Sequence, residues 1–174
     1  LVGGKIGALL EVRDRVLSQA LDRLDSLAFG VVTAVNEIHR QGYSMNGETG
    51  VDYFQHLEEP GRAAEFIGLS SKVQDNVNNM ATALDPDSPA DNRVAIAISR
   101  LQNMRLMNEG RVTMDDYYNS IVSEIGIVGG ENKTALTQQK SILAQLNQIR
   151  EQVSGVSIDE ETTNLLQYQH SYDA

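Results

Sequence analysis

A chain of 174 residues with 41% hydrophobic and 22% charged side chains is long enough for one domain with a hydrophobic core and too apolar for a disordered chain. Its formal charge of -10 counts against capture of a phosphate backbone, so nucleic acid is not an expected partner. The absence of cysteine excludes disulfides, zinc-thiolate sites and thiol catalysis.

The opening LVGGKIGALLEV carries a single Lys and only a short apolar run, a pattern of neither a secretory signal nor a membrane span. No membrane partner is expected. From Leu17 the apolar residues Leu17, Leu21, Leu24, Ala28, Val31, Val35 and Ile38 alternate steps of four and three, which is a heptad seam. The spacing predicts a long helix over 1–42, from about Ile6 to Gln41, with Gly42 as its stop. Residues 43–70 change character: glycines, one Pro and the pair Asn46-Gly47 break the periodicity, predicting either an ordered loop or a short β-hairpin insert. Shorter helices are expected over 71–110, one from Ser71 to Leu84 and one capped by Asp91 that runs on to Gly110.

Thr113 followed by Asp116 has the spacing of a capping box, so a second long helix is expected over 113–153. Its seam runs through Met114, Tyr118, Ile121, Ile125, Val128, Ile142, Leu146, Ile149 and Val153, with Asn132 and Gln139 at polar seam positions. Gly129 and Gly130 predict a thin spot rather than a break, at about 1 kcal/mol each. A last helix over 158–174 carries no stop signal, and the chain begins at Leu1 rather than Met, so both ends are expected to be cuts in a longer chain. The expected fold is mainly α: one elongated helical bundle over 1–174, with two long heptad-patterned helices and a small loop or hairpin insert.

No constellation of catalytic or metal-binding residues accompanies this architecture. His39, His56 and His170 have no second His or Cys at ligand spacing and read as surface or hydrogen-bonded residues. DPDSPADN lacks the glycine and distal Glu of a calcium loop, and reads as a turn with a helix cap. Asp115-Asp116 and Glu58-Glu59 read as solvated faces, and GGKIG follows no strand and lacks the GK[ST] ending of a phosphate loop. Tyr118 is assigned to the seam ahead of its neighbour Tyr117. No cofactor is expected, and the surplus seam calls for another helix to pack against.

The stretch SGVSIDEETTNLLQYQHSY resembles the C-terminal signature of bacterial flagellar axial proteins, in the form carried by the hook-associated protein 1 family. The likeness rests on Ser154, Gly155, Val156, Ser157, Asp159, Glu160, Glu161, Asn164, Leu165, Tyr168, Gln169, Tyr172 and Ala174. GGKIGALLEVRD, Gly3 to Asp14, is similar to the segment that starts a long helix in the same family. Leu27, Ala28, Val35, Asn36, Ile38, His39, Gln41, Gly42, Tyr43, Asn46, Gly47, Gly50, Asp52 and Phe54 match a further family pattern. Thr162 stands where the family has Met, and His170-Ser171 replaces small residues.

The resemblance implies a structural, non-enzymatic protein, exported through the flagellar type III apparatus to the extracellular flagellum. There it would join hook to filament by axial polymerisation through terminal coiled-coil segments. The implied partners are hook protein, the second junction protein, flagellin and further copies of itself in the junction ring, with an export chaperone for the missing C-terminal segment. A chain without those segments is expected to be monomeric. Another flagellar axial protein, of hook or flagellin type, and a cytosolic coiled-coil dimerisation module are the alternative readings.

Overall fold

The computed structural model describes residues 4–88, 90–155 and 158–173. The protein is mainly helical, as the periodicity predicts. Two compact units divide it, 1–125 and 126–174.

In the first unit the long N-terminal helix forms in three consecutive pieces. These are α1 (Gly4–Glu11), a π-helical turn (Val12–Leu17) and α2 (Ser18–His39). A π turn takes in one residue more than an α turn, and this one lies at the head of the heptad seam, among exposed residues. The α-helix ends at His39. Gly42 is needed for a different reason: a Cβ there would lie 2.7 Å from Val94 Cγ2, 3.0 Å from Ala81 Cβ and 3.1 Å from the Ala83 carbonyl oxygen.

The insert is a loop with short antiparallel pairings, some within it and one to a later strand. β1 (Tyr43–Ser44) pairs antiparallel with β2 (Ala81–Ala83), opposing Tyr43 to Ala83 and Ser44 to Ala81. Within the insert, single bridges join Tyr43 to Thr49 and Phe54 to Leu69. The Asn46-Gly47 turn is closed by Gly47 N–H donating to the Ser44 carbonyl at 2.9 Å, with Gly47 at φ +75°. Two short helices follow, α3 (Ala63–Phe66) and α4 (Ser71–Asp75); Ser70 caps α4 by accepting from Val73 N–H.

Two helical expectations in 71–110 are corrected. The helix predicted from Ser71 to Leu84 stops at Asp75, a 3-10 turn covers Val77–Asn79, and 81–83 is strand β2. The helix predicted to reach Gly110 is α5 (Arg93–Arg100), followed by a 3-10 turn over Leu101–Asn103 and strand β3 (Arg105–Met107). β3 pairs antiparallel with β4 (Val112–Thr113) across a turn in which Asn108, Glu109 and Gly110 all have positive φ. Three successive left-handed residues cannot continue a helix, so Met107 belongs to a strand and Met104 to the end of the 3-10 turn. Asp91 is not the N-cap of α5, a place taken by Asn92. Its carboxylate instead accepts the Leu84 and Arg93 N–H groups.

The buried apolar residues of this unit include Val32, Val35, Val51, Val73, Val94 and Leu101, and Met107, Tyr117 and Ile121 form a cluster against Leu24, Leu27, Val112 and Met114. α6 (Met114–Ser154) supplies Tyr117 and Ile121; the Thr113 hydroxyl accepts Asp116 N–H at 3.1 Å at its start. In the second unit α6 runs on to Ser154, and α7 (Ile158–Tyr172) follows. Gly155, at φ +66°, donates its N–H to the Glu151 carbonyl at 2.9 Å, a left-handed stop that glycine takes without steric cost.

Candidate functional site

Three polar side chains on α2 fasten the insert to it. Asn36, buried, accepts Tyr53 N–H (3.0 Å) and Phe54 N–H (2.9 Å) on Oδ1 and donates from Nδ2 to the Phe54 carbonyl (3.0 Å). This stretch pairs along one edge with 68–70, through the Phe54–Leu69 bridge, and the Asn36 side chain satisfies the backbone groups of its other edge. One turn on, His39 is 1% exposed and bridges two segments. Its Nδ1 donates to the Val51 carbonyl at 2.7 Å, and its Nε2 accepts Ala81 N–H at 2.8 Å, which sets the tautomer. Tyr53 stacks edge-on to the His39 ring, centroids 5.4 Å apart. Nearer the start of α2, the Asp25 carboxylate accepts the N–H groups of Arg62 (2.8 Å) and Ala64 (2.9 Å), capping α3 from another element. Arg40 pairs with Asp52, and their hydrogen bond raises the guanidinium pKa above its ordinary value.

The predicted seam divides along its length. On α2, Val35 is buried, Leu24, Ala28, Val31 and Ile38 are half-buried, and Leu17 and Leu21 are 51% and 57% exposed. On α6, Ile121 is buried and Met114 and Val128 half-buried, while Tyr118 and Ile125 are each 49% exposed. Tyr117, not Tyr118, enters the core, and the Arg23 guanidinium sits 5.2 Å from its ring centroid while pairing with Glu124. Tyr118 faces instead an open groove of about 400 Å³ that it shares with Leu27, Val31, Val35, Ile98, Leu101 and Met114. The seam residues Val31 and Val35 thus flank the same groove as Met114 and Tyr118 instead of closing it.

In the second unit the row Ile142, Leu146, Ile149 and Val153 is exposed, and no described residue of 126–174 is buried. The row runs over about three turns of helix. Of the C-terminal motif, Ser154 closes α6 and Gly155 supplies the left-handed stop. Asp159, Glu160 and Glu161 occupy the first turn of α7, where carboxylates complement the positive end of the helix dipole. Asn164, Leu165, Tyr168, Gln169 and Tyr172 are exposed along α7. Val156, Ser157 and Ala174 lie outside the described residues.

Among the described residues no three His, Cys, Asp or Glu side chains gather as a metal-holding group, and no helix is long and apolar enough to cross a membrane. Periodicity did not single out Asn36 and Tyr117. Asn36 had one signal available, as a polar residue flanked by Val35 and Ile38 on an otherwise apolar face.

Residues 1–54 match the family model described as the flagellar hook-associated protein FlgK helical domain. Over 165 residues, covering 91% of this chain, the sequence is 32% identical to flagellar hook-associated protein 1 of Bacillus subtilis (strain 168), of which the match covers 32%. It is 24% identical over 256 residues to flagellar hook-associated protein 1 of Salmonella typhimurium, covering 97% of this chain and 46% of the relative. Against the protein of the same name in Escherichia coli (strain K12) it is 24% identical over 249 residues, with the same coverage. The chain therefore spans between about a third and a half of the length of the curated relatives it matches. The Salmonella and E. coli alignments are longer than the chain itself, so those relatives carry inserted sequence with no counterpart here.

Proposed function

We propose, from the premise that this chain is a relative of flagellar hook-associated protein 1, that it serves as a structural part of the bacterial flagellum at the junction of hook and filament. Its work is assembly and involves no catalytic step. The partners on this reading are hook protein, the second junction protein, flagellin and further copies of itself. The site of action is extracellular, after export through the flagellar type III apparatus. Polymerisation runs through terminal coiled-coil segments, the exposed heptad row on α6 meets neighbouring helices in the assembly, and an export chaperone would hold the C-terminal segment beforehand.

The likeness to the Bacillus subtilis relative, running through 91% of the chain, is the observation that carries this reading. The uncovered row Ile142, Leu146, Ile149 and Val153 supports it, since a seam without a cover has its partner elsewhere. The net charge of -10 favours a protein that stays apart from its copies until apolar surfaces are matched.

The test replaces the aligned segment of the Bacillus subtilis protein with this chain in cells that lack their own copy. Filaments attached to hooks, seen by electron microscopy, and swimming on soft agar are the expected result. The same replacement with Ile142, Leu146 and Ile149 changed to Gln should be exported and should leave bare hooks. Detached filaments with the unaltered replacement, despite normal export, would refute the proposal. Tight dimers of the isolated chain in sedimentation would point instead to an ordinary coiled-coil interaction module.

A further inference from the structure

Asn46-Gly47 is the one Asn-Gly pair in the sequence, and it lies in an exposed turn. Glycine after asparagine leaves the following backbone nitrogen without a neighbouring Cβ, so that nitrogen can reach the asparagine side chain more easily than before any other residue. In this fold both reacting groups are occupied. The nucleophile, Gly47 N, has its hydrogen committed to the Ser44 carbonyl at 2.9 Å. The electrophile is the Asn46 amide, whose Nδ2 donates to Asn79 Oδ1 at 2.7 Å. Asn79 cannot turn away without loss, because its own Nδ2 donates to the Lys72 carbonyl at 2.9 Å. The turn is further braced by Ser44, whose N–H donates to the Glu48 carbonyl and whose hydroxyl accepts Glu48 N–H.

We propose that Asn46 is a fold-gated deamidation site: held in the closed turn, and converted to aspartate and isoaspartate once the turn opens. In the step, Gly47 N loses its proton to hydroxide and attacks Asn46 Cγ. The N–Cγ bond forms, the Cγ–Nδ2 bond breaks, and ammonia leaves. The resulting succinimide takes up one water at either carbonyl, giving Asp or isoAsp at position 46. The net change is one water consumed and one ammonia released, with no oxidant or reductant.

The consequence follows from the same contacts. A carboxylate at 46 has no hydrogen to offer Asn79 Oδ1 and would face that oxygen with a negative charge. The tie between the 44–48 turn and the 76–79 turn is then lost, and isoAsp adds a backbone atom to a turn only a few residues long. Conversion is one-way because the ammonia is lost, and the product turn no longer closes as the original did.

The test incubates the whole chain at mildly alkaline pH and follows each asparagine by peptide mapping and mass spectrometry, with isoaspartate separated from aspartate by chromatography. Folded chain, the Asn79→Ala variant and chain held in urea are compared. Asn46 should convert slowest in the folded chain, roughly two- to tenfold faster in Asn79→Ala, the weight of one hydrogen bond, and fastest in urea. Circular dichroism establishes whether Asn79→Ala is folded; if it is not, the folded-against-urea comparison decides the matter. Equal rates in folded and urea-held chain would overturn the proposal, as would conversion at other asparagines in urea while Asn46 stays intact.

Discussion

Replacing Asn36 by alanine removes the acceptor for two backbone N–H groups, of Tyr53 and Phe54, and the donor for the Phe54 carbonyl. The side chain is 2% exposed, so water does not reach those three groups without a local opening. A net hydrogen bond is worth about 1 kcal/mol and an orphaned buried polar group costs about 1–3 kcal/mol, so the loss should be about 3–5 kcal/mol, a large fraction of the stability of a small domain. Urea unfolding followed by circular dichroism measures it as a lower midpoint. Hydrogen exchange locates it: the amides of Tyr53 and Phe54 should lose protection, while those of α6 beyond residue 126 should not change. Asn36→Leu, which keeps the bulk and removes the polar atoms, should be about as damaging as alanine, because the penalty lies in the unpaired backbone and not in a cavity. A loss under about 1 kcal/mol in both variants, with unchanged exchange at Tyr53 and Phe54, would refute the claim that this side chain holds the free edge of the 53–54 stretch.

Two glycines in the first unit should respond unequally to alanine. At Gly42 the new Cβ meets Val94 Cγ2 at 2.7 Å and the strand β2 backbone at 3.1 Å, neither free to move, so a loss of about 1–3 kcal/mol and a lower melting temperature are expected. At Gly30 the Cβ meets Met107 Sδ at 2.8 Å; the flexible thioether can swing aside while the helix gains about 1 kcal/mol in propensity, so calorimetry should find a change much smaller than at Gly42. The hydrogen bond from the Arg93 guanidinium, followed by the Leu84 and Arg93 N–H groups, holds the Asp91 carboxyl well below the ordinary range. Because the folded pKa is depressed, this contribution is fully present above the unfolded value, about 4, and is lost as pH falls from there toward the folded value. Wild type should therefore lose urea resistance below about pH 4 more steeply than Asp91→Asn, and parallel titrations of the two would count against the linkage.

The long helices were legible in the sequence because helical periodicity is a local property. The steps of four and three from Leu17 to Ile38 and from Met114 to Val153 repeat within a few residues of each other and depend on nothing distant. The same holds for the signals at helix ends: Thr113 accepts Asp116 N–H, and Gly155 stops α6 in the left-handed region. The motif about Asn36, His39 and Gly42 was visible as a resemblance, while its physical work was not. That work joins α2 to Phe54, Val51, Ala81 and Val94, up to 52 residues away along the chain, and periodicity says nothing of such pairs.

Tertiary structure also decided between adjacent residues with equal claims. Tyr117 and Tyr118 differ by one step of about 100° around a helix, and the choice between them depends on where Leu24, Leu27 and Met107 stand. Strand β2 could not be read from ATA, because three residues become a strand only when Tyr43 and Ser44 arrive beside them. Local spacing determined which segments are helices and which faces are apolar. Which of those faces the first unit buries, and which rows remain exposed, was settled by contacts between residues far apart in the chain, since packing free energy belongs to the pair and not to either partner.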